Sequence, residues 1–217
     1  MKKINQFFDM IEENGTFSQI YNKYYAGTDM FDYVDIKKFH IRLKTRLPAY
    51  KQIIEEESQK YNFDWRLIAA VIYQESQFNP NAVSYTGVRG LMQLTMPTAD
   101  EMGVLNRSNP EESIKGGIKY LHKLYNRFRN LEPEERLKFA LGSYNVGYGH
   151  IKDARYIAYK KGFDINQWSS LEKTLPLLRY REYYEKSDFG YARGTEPIRY
   201  VNRILTYYNI IKMTPEA

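Results

Sequence analysis

One acidic residue in an apolar helical run is the clearest candidate for chemistry in this sequence of 217 residues. The run WRLIAAVIYQES follows Asp64, whose carboxylate is a favourable N-cap, and contains no helix breaker. Helical spacing places Glu75 on the same face as Ile68 and Ile72. Because an apolar surface disfavours the ionised carboxylate, we expect a raised pKa, which suits a group that donates a proton near neutral pH. The alternative is a carboxylate at the helix edge whose head reaches water.

The segment that follows this glutamate is polar, rich in glycine and free of acidic residues as far as Ala99. Gly87 and Gly90 permit a positive φ or a close backbone approach, which is typical of a loop folded over a cleft. The polar side chains of the segment are Ser84, Thr86, Gln93 and Thr95. The pattern predicts a cleft that holds a neutral polar ligand beside one acid.

Two later stretches add aromatic groups. Residues 134–142 predict a helix, and the following SYNVGYG predicts a tight turn in which Tyr144, beside Asn145, offers a ring face and a hydroxyl. From the residues alone, an ordinary loop at a helix end is the alternative. Glu196-Pro197 predicts the start of the last helix, which carries Tyr200. An exposed surface ring is the alternative for that tyrosine.

The composition excludes some kinds of metal site but does not identify the binding partner. A formal charge of +6 suits an anionic polysaccharide, nucleic acid or an acidic membrane surface, and does not choose among them. Without cysteine there are no disulfides or thiolate metal sites, and His40, His122 and His150 lack ligand spacing, so we expect no metal. Aromatic and basic residues interleave in residues 163–195, as in proteins that bind single-stranded nucleic acid. Aromatic faces also bind sugar rings, so this composition does not discriminate.

Four separated motifs resemble, in order and spacing, the signature of the soluble-type lytic transglycosylase (SLT) catalytic domain. They are Glu75-Ser76 with Ser84, Gly90-Leu91-Met92-Gln93, Ser143-Tyr144-Asn145 and Glu196-Pro197-Ile198-Arg199-Tyr200-Val201. Ser143 departs from the pattern, which more usually has alanine there, but both residues are small. The resemblance implies a mainly α, lysozyme-like (goose-type) fold with a short helical N-terminal tail.

The same resemblance implies an enzyme that cleaves peptidoglycan without water, between N-acetylmuramic acid and N-acetylglucosamine, and leaves a 1,6-anhydro product. Glu75 is then the acid and afterwards the base, and Tyr200 orients it. The other implied site residues are Ser84 and Gln93 for the sugar's substituents, Met92 for the floor of the cleft, and Tyr144 and Asn145 for the sugar and its acetamido group. Neither a cofactor nor a metal is implied, and the implied partner is the peptidoglycan glycan strand, not nucleic acid.

Glycosidases normally use two carboxylates, whereas this cleft has one. One acid suffices if the substrate supplies the attacking group, as the C6 hydroxyl of N-acetylmuramic acid does, with the entropic advantage of an intramolecular reaction. Two alternatives stay open. A muramidase that uses water needs a second carboxylate, for which Asp100, Glu101 and Asp188 are candidates, and a non-catalytic glycan-binding domain needs none.

The domain expectations also rest on the resemblance. Residues 1–30 are similar to the closing helices of a periplasmic solute-binding-like domain, which precedes the catalytic domain in membrane-bound members of the family. Residues 31–50 are expected to be a linker, running to Asp35, and a first helix, and residues 51–217 the catalytic domain. The sequence as given has no export signal, because polar residues interrupt any apolar run after Met1-Lys2-Lys3. We nevertheless expect a monomer in the periplasm, associated with the outer membrane.

Overall fold

The computed structural model describes residues 33–214 and, before them, Phe7, Met10, Ile11, Asn14 and Thr16. The chain divides into two compact units, Met1–Lys38 and Phe39–Ala217. In the first unit Phe7, Met10, Ile11 and Thr16 are helical. The rest of the predicted tail at residues 1–30 lies outside the described residues, so its origin in a solute-binding-like domain stays a prediction.

All the regular elements of the described range 33–214 are helical, which confirms the mainly α prediction. The α-helices are α1 (Tyr33–Thr45), α2 (Lys51–Lys60), α3 (Trp65–Ser76), α4 (Met96–Met102), α5 (Pro110–Arg127), α6 (Pro133–Val146), α7 (Tyr148–Lys160), α8 (Trp168–Thr174), α9 (Arg181–Tyr184) and α10 (Thr195–Met213). Short 3-10 helices occupy Leu47–Ala49 and Leu175–Arg179. No helix of the described residues is both long and apolar enough to cross a membrane.

Helix α1 corrects the predicted linker. The linker was expected to run to Asp35, but α1 already begins at Tyr33, and an acidic residue in the first turn is favourable at the positive end of a helix. Within the second unit, the Phe39 ring packs against Tyr73 and Tyr207, with its centroid 4.5 Å from each. This packing accounts for the start of the second unit at Phe39, and the catalytic domain at residues 51–217 stays a prediction.

Helix α3 is the centre of the second unit. The Asp64 side chain caps it by accepting a hydrogen bond from the Arg66 backbone N–H at 2.9 Å, as predicted. Every residue from Leu67 to Tyr73 is buried, and a helix that is apolar all round belongs in a core. Helix α10 packs along α3 and also contacts α6. The Tyr208 hydroxyl of α10 donates to the Asp64 carboxylate at 2.9 Å, which joins α10 to the start of α3.

Helix α5 forms one wall of this core. The run Asn109-Pro110-Glu111-Glu112 predicts a helix start in the sequence, and the structure agrees: the Asn109 side chain accepts from the Glu112 backbone N–H at 3.0 Å and Pro110 occupies the first turn. The buried side chains of α5 include Ile114, Ile118 and Leu121. Helix α5 therefore packs against the core through one apolar stripe, with α2, α4 and α6 as its neighbours.

Candidate active site

Glu75 lies in the last turn of α3 and is partly exposed, whereas residues 67–73 of the same helix are buried. The Tyr200 hydroxyl donates a hydrogen bond to Glu75 Oε1 at 2.5 Å, which is the contact expected of this tyrosine. Burial raises the pKa of Glu75 to about 7, and the Tyr200 hydrogen bond opposes that rise by stabilising the carboxylate. Among the described residues no charged group contributes to this pKa shift. Glu75 is thus a carboxyl group that can hold or release a proton near neutral pH.

Two tyrosines surround this acid with neutral hydroxyls. Burial, reinforced by the charge of the Glu75 carboxylate, raises the pKa of Tyr144 and of Tyr200 well above the ordinary tyrosine value. The Tyr144 hydroxyl donates to the Met92 carbonyl oxygen at 2.8 Å, and its ring packs on Tyr120 with centroids 5.4 Å apart. Both hydroxyls therefore keep their protons at neutral pH, and neither places a charge beside Glu75.

The stretch that carries Tyr144 and Asn145 differs from the predicted turn. Helix α6 continues through both residues to Val146, and Gly147, with φ of 91°, is the single break before α7. The Ser143 hydroxyl donates to the Phe139 carbonyl oxygen at 2.8 Å, so the helical pattern persists through Ser143. Tyr144 consequently projects from a helix, which fixes it more firmly than a loop, and Asn145 is exposed in the last turn.

The end of α3 is joined to the glycine-rich loop by Ser76. Its hydroxyl donates to the Ile72 carbonyl oxygen at 3.1 Å or to that of Leu91 at 2.8 Å, so Ser76 supports the helix end. Gln77 and Phe78 both have positive φ values, 55° and 58°, and turn the chain sharply away from the helix. The loop is thereby held against the helix end that carries the acid.

The glycine-rich loop is held together mostly by its own polar groups. Ser84 Oγ accepts from the backbone N–H groups of Thr86 and Val88 at 3.2 and 3.3 Å. Gln93 Nε2 donates to the Ala82 and Gly90 carbonyl oxygens at 3.0 and 2.8 Å. Position 90 requires glycine because the Arg107 backbone passes close to it: a Cβ at Gly90 would lie 1.8 Å from the Arg107 carbonyl oxygen. Ser84 and Gln93, expected to bind the sugar, thus first of all shape the loop.

Met92 lies beneath the floor of the cleft. Its side chain has no exposed surface, and a Cβ at Gly117 would come within 2.3 Å of its sulfur atom. This corrects the expectation that the Met92 side chain lines the cleft. Its backbone matters more, because the carbonyl oxygen accepts from Tyr144 and the N–H donates to Ser113 Oγ at 3.2 Å. Sequence patterns missed Ser113, whose only signal is a small polar residue on the buried stripe of α5.

The three carboxylates considered as a second catalytic group do not affect the pKa of Glu75. Asp100 and Glu101 are exposed on α4, and Glu101 pairs with Lys123. The Asp188 backbone N–H donates to the Asp153 carboxylate at 3.1 Å, in the segment before α10. In the part of the chain that the structure describes, no group of three or more acidic, histidine or cysteine residues is arranged to hold a metal ion.

Comparison with known proteins agrees with this geometry. The family described as "Transglycosylase SLT domain" matches residues 52–168, more than half of the chain. Two proteins named membrane-bound lytic murein transglycosylase F are similar: that of Desulfosudis oleivorans is 58% identical over 97% of this chain, and that of Photobacterium profundum 47% identical over 95%. The chain spans only 46% and 40% of the lengths of these two relatives.

A solved structure shows the same fold. An inactive mutant of the lytic transglycosylase Slt from Pseudomonas aeruginosa superposes with a TM-score of 0.56 at 21% identity, over 76% of this chain and 24% of that one. At this identity the likeness concerns the fold alone, and it confirms the lysozyme-like helical prediction. Together with the matched family and the two relatives, it shows that the chain belongs to the SLT transglycosylase domain family.

Proposed function

We propose that this chain is a lytic transglycosylase that cleaves peptidoglycan between N-acetylmuramic acid and N-acetylglucosamine. The observation that carries the proposal is one carboxyl group, Glu75, with a pKa of about 7 at the end of a buried helix and no charged partner. A group with that pKa is protonated in a large fraction of molecules at neutral pH and still becomes a competent base after giving up its proton. The names of the relatives, which include lytic murein transglycosylase, support the same reaction.

The isolation of Glu75 favours the non-hydrolytic reaction over a muramidase. Hydrolysis by the usual route needs a second carboxylate close to the first, and two close carboxylates raise or split each other's pKa values. No such influence on Glu75 arises from the described residues. The C6 hydroxyl of N-acetylmuramic acid takes the place of water as the nucleophile, and its attachment to the reacting sugar lowers the entropic cost.

The reaction begins with protonated Glu75, which donates its proton to the glycosidic oxygen as the bond from that oxygen to C1 of N-acetylmuramic acid breaks. The 2-acetamido oxygen supports the positive charge at C1 through a transient oxazolinium. Glu75, now ionised, then removes the proton of the C6 hydroxyl as O6 bonds to C1 and the bond from C1 to the acetamido oxygen breaks, which restores the acetamido group. The proton lost in the first step is regained in the second, so the enzyme ends in its starting state.

Tyr200 orients Glu75 by donating to one carboxyl oxygen, which leaves the other oxygen for the glycosidic bond. Tyr144 is fixed by its hydrogen bond to the Met92 carbonyl and offers its ring to the sugar. Asn145, exposed next to it, is assigned to the acetamido group. Ser84 and the carbonyl end of Gln93 are assigned to the sugar's substituents, from a loop that is already ordered by internal hydrogen bonds.

The cellular setting is part of the same proposal. The protein acts as a monomer in the periplasm, associated with the outer membrane, and binds glycan strands and not nucleic acid. The two relatives are named membrane-bound, and each is more than twice as long as this chain. Residues 1–30 are assigned to a solute-binding-like domain by the resemblance of their sequence alone.

The test is mass spectrometry of the products formed from purified peptidoglycan by the protein and by its Glu75→Gln variant. Muropeptides lighter by one water than their hydrolytic counterparts, absent with the variant, are the expected result. Reducing-end products would identify a muramidase and contradict the proposal. Glycan binding with no cleavage by the unaltered protein would identify a binding domain instead.

A further inference from the structure

A cavity lies between α2, the end of α4 and α5. Its volume is about 410 Å³, which is within the range of small-molecule sites. Its apolar floor includes Met102 and Val104, both largely buried, and its lining includes none of the residues assigned to the cleft. Charged side chains of both signs stand around this floor.

The acidic group of the cavity is Glu57 on α2. This residue is only 5% exposed, although it carries a carboxylate. Its Oε1 accepts from Lys60 Nζ at 2.6 Å, and the Lys60 side chain is 60% exposed. Among the described residues Glu57 has no further hydrogen bond. Because an ionised carboxylate has about four acceptor positions, Glu57 retains the capacity to bind an ammonium group.

The basic group on the other wall is Lys119 of α5. Its ammonium donates to the Met102 carbonyl oxygen at 3.2 Å, and an ammonium has two further N–H groups to offer. The second acid of the lining, Glu112, accepts from the backbone N–H groups of Leu105 and Asn106 at 2.7 and 2.9 Å through Oε2, which leaves Oε1 as an acceptor. Acceptor oxygens for a cation are thus available on α2 and at the start of α5, and N–H groups for an anion are available on Lys119, with apolar surface between.

We propose that this cavity binds a small zwitterion, namely an amino acid with an aliphatic side chain that ends in a second amino group. The side-chain ammonium of the ligand bonds to Glu57, its α-ammonium bonds to Glu112, its carboxylate bonds to Lys119, and its methylene groups cover Met102 and Val104. Lys60, on the exposed rim, moves aside as the ligand's ammonium replaces it at Glu57. A ligand with one sign of charge meets repulsion from Glu57 or from the lysines.

The probe for this proposal is free L-lysine, with two analogues of matched chain. Cadaverine is lysine without the carboxylate, and hexanoate is lysine without either amino group. Calorimetric titration of the whole chain is expected to show saturable binding of lysine, at least about tenfold tighter than either analogue, since each loses a charged hydrogen bond. Equal binding of cadaverine or of hexanoate, or no saturable binding of lysine, would overturn the proposal.

Variants locate the site. Glu57→Gln and Lys119→Met are each expected to weaken lysine binding at least about tenfold. Lys123→Met is the matched control, because Lys123 lies one turn further along α5, pairs with Glu101 and is outside the cavity lining. Thermal unfolding establishes that each variant is folded, and Lys119→Met alone is sufficient if Glu57→Gln fails to fold. Unchanged binding in Lys119→Met, or equal loss in Lys123→Met, would refute the site.

The binding test is independent of the catalytic proposal. Glu75→Gln is expected to bind lysine as the unaltered chain does, because Glu75 is not part of the cavity lining. Failure of lysine binding therefore leaves the assignment of Glu75 intact, and absence of cleavage leaves the cavity intact.

Discussion

Glu75 and Glu57 are two carboxylates of the same helical unit, both largely withdrawn from water, with opposite kinds of neighbour. Glu75 faces the neutral hydroxyl of Tyr200, and burial raises its pKa to about 7. Glu57 faces the ammonium of Lys60 at 2.6 Å. The raised pKa of Glu75 thus reflects burial beside an uncharged partner, because a nearby cation would stabilise the ionised carboxylate.

The largest expected effect is the loss of catalysis when Glu75 is replaced. Glu75→Gln keeps a side chain of the same shape but cannot exchange a proton, so cleavage of peptidoglycan should fall about 10²–10⁴-fold or more. Release of anhydro-muropeptides measures this loss. Glu134→Gln is the control, since Glu134 is exposed and paired with Lys138, and its activity should match that of the unaltered chain. Comparable losses in both variants would mean that the effect is not specific to the cleft.

Replacing the two carboxylates should change the free energy of unfolding in opposite directions. Ionisation of Glu75 is disfavoured in the fold, so between the ordinary carboxyl pKa of 4.5 and about 7 the unfolded chain ionises first and the folded protein loses stability. Glu75→Gln removes this penalty and should raise the free energy of unfolding by up to about 3 kcal/mol above pH 7, with little change below pH 4.5.

Glu57→Gln should do the reverse and lower the free energy of unfolding by about 0.5–1.5 kcal/mol at pH 7, because it breaks the hydrogen-bonded ion pair with Lys60, whose side chain is 60% exposed. Urea unfolding of both variants at pH 4 and pH 8 measures the two effects. The same sign of change for both variants at pH 8 would contradict the contrast between an isolated and a paired carboxylate.

The smallest expected effect is a shift of the pH profile. The Tyr200 hydrogen bond lowers the pKa of Glu75, so Tyr200→Phe should raise it and move the alkaline limb of kcat upward by about half a unit to one unit, while the rate falls as orientation is lost. Tyr208→Phe is the matched control, because Tyr208 on the same helix bonds Asp64 instead. Its alkaline limb should stay in place. A shift in both variants would point to helix displacement as the cause.

The sequence predicted those parts of the site that depend on side-chain type and helical spacing. The cap at Asp64, the position of Glu75 after an apolar run and the start of α5 follow from local rules, and the geometry agrees with them. The contact of Tyr200 with Glu75 joins residues 125 positions apart, and only the family resemblance anticipated it.

What the sequence missed depends on tertiary contacts through backbone atoms. The Met92 carbonyl oxygen accepts from the Tyr144 hydroxyl. Every residue has a carbonyl group, so the sequence does not indicate which one lies within reach of a tyrosine. The glycines near Tyr144 predicted a turn, yet only Gly147 breaks the helix, whereas a Cβ at Gly149 would lie 2.3 Å from the Phe189 ring. Local rules do not distinguish a glycine needed for a turn from one needed for close packing.

The role of Glu75 as the proton donor is tested most directly by a carbon-detected NMR titration of its carboxyl group in the intact chain. The Glu75→Gln variant assigns the signal. We expect a midpoint near pH 7, because burial raises the pKa of this carboxyl and no cation among the described residues lowers it. A midpoint near the ordinary value of 4.5 would mean that Glu75 is fully ionised at neutral pH, and would contradict its role as the proton donor.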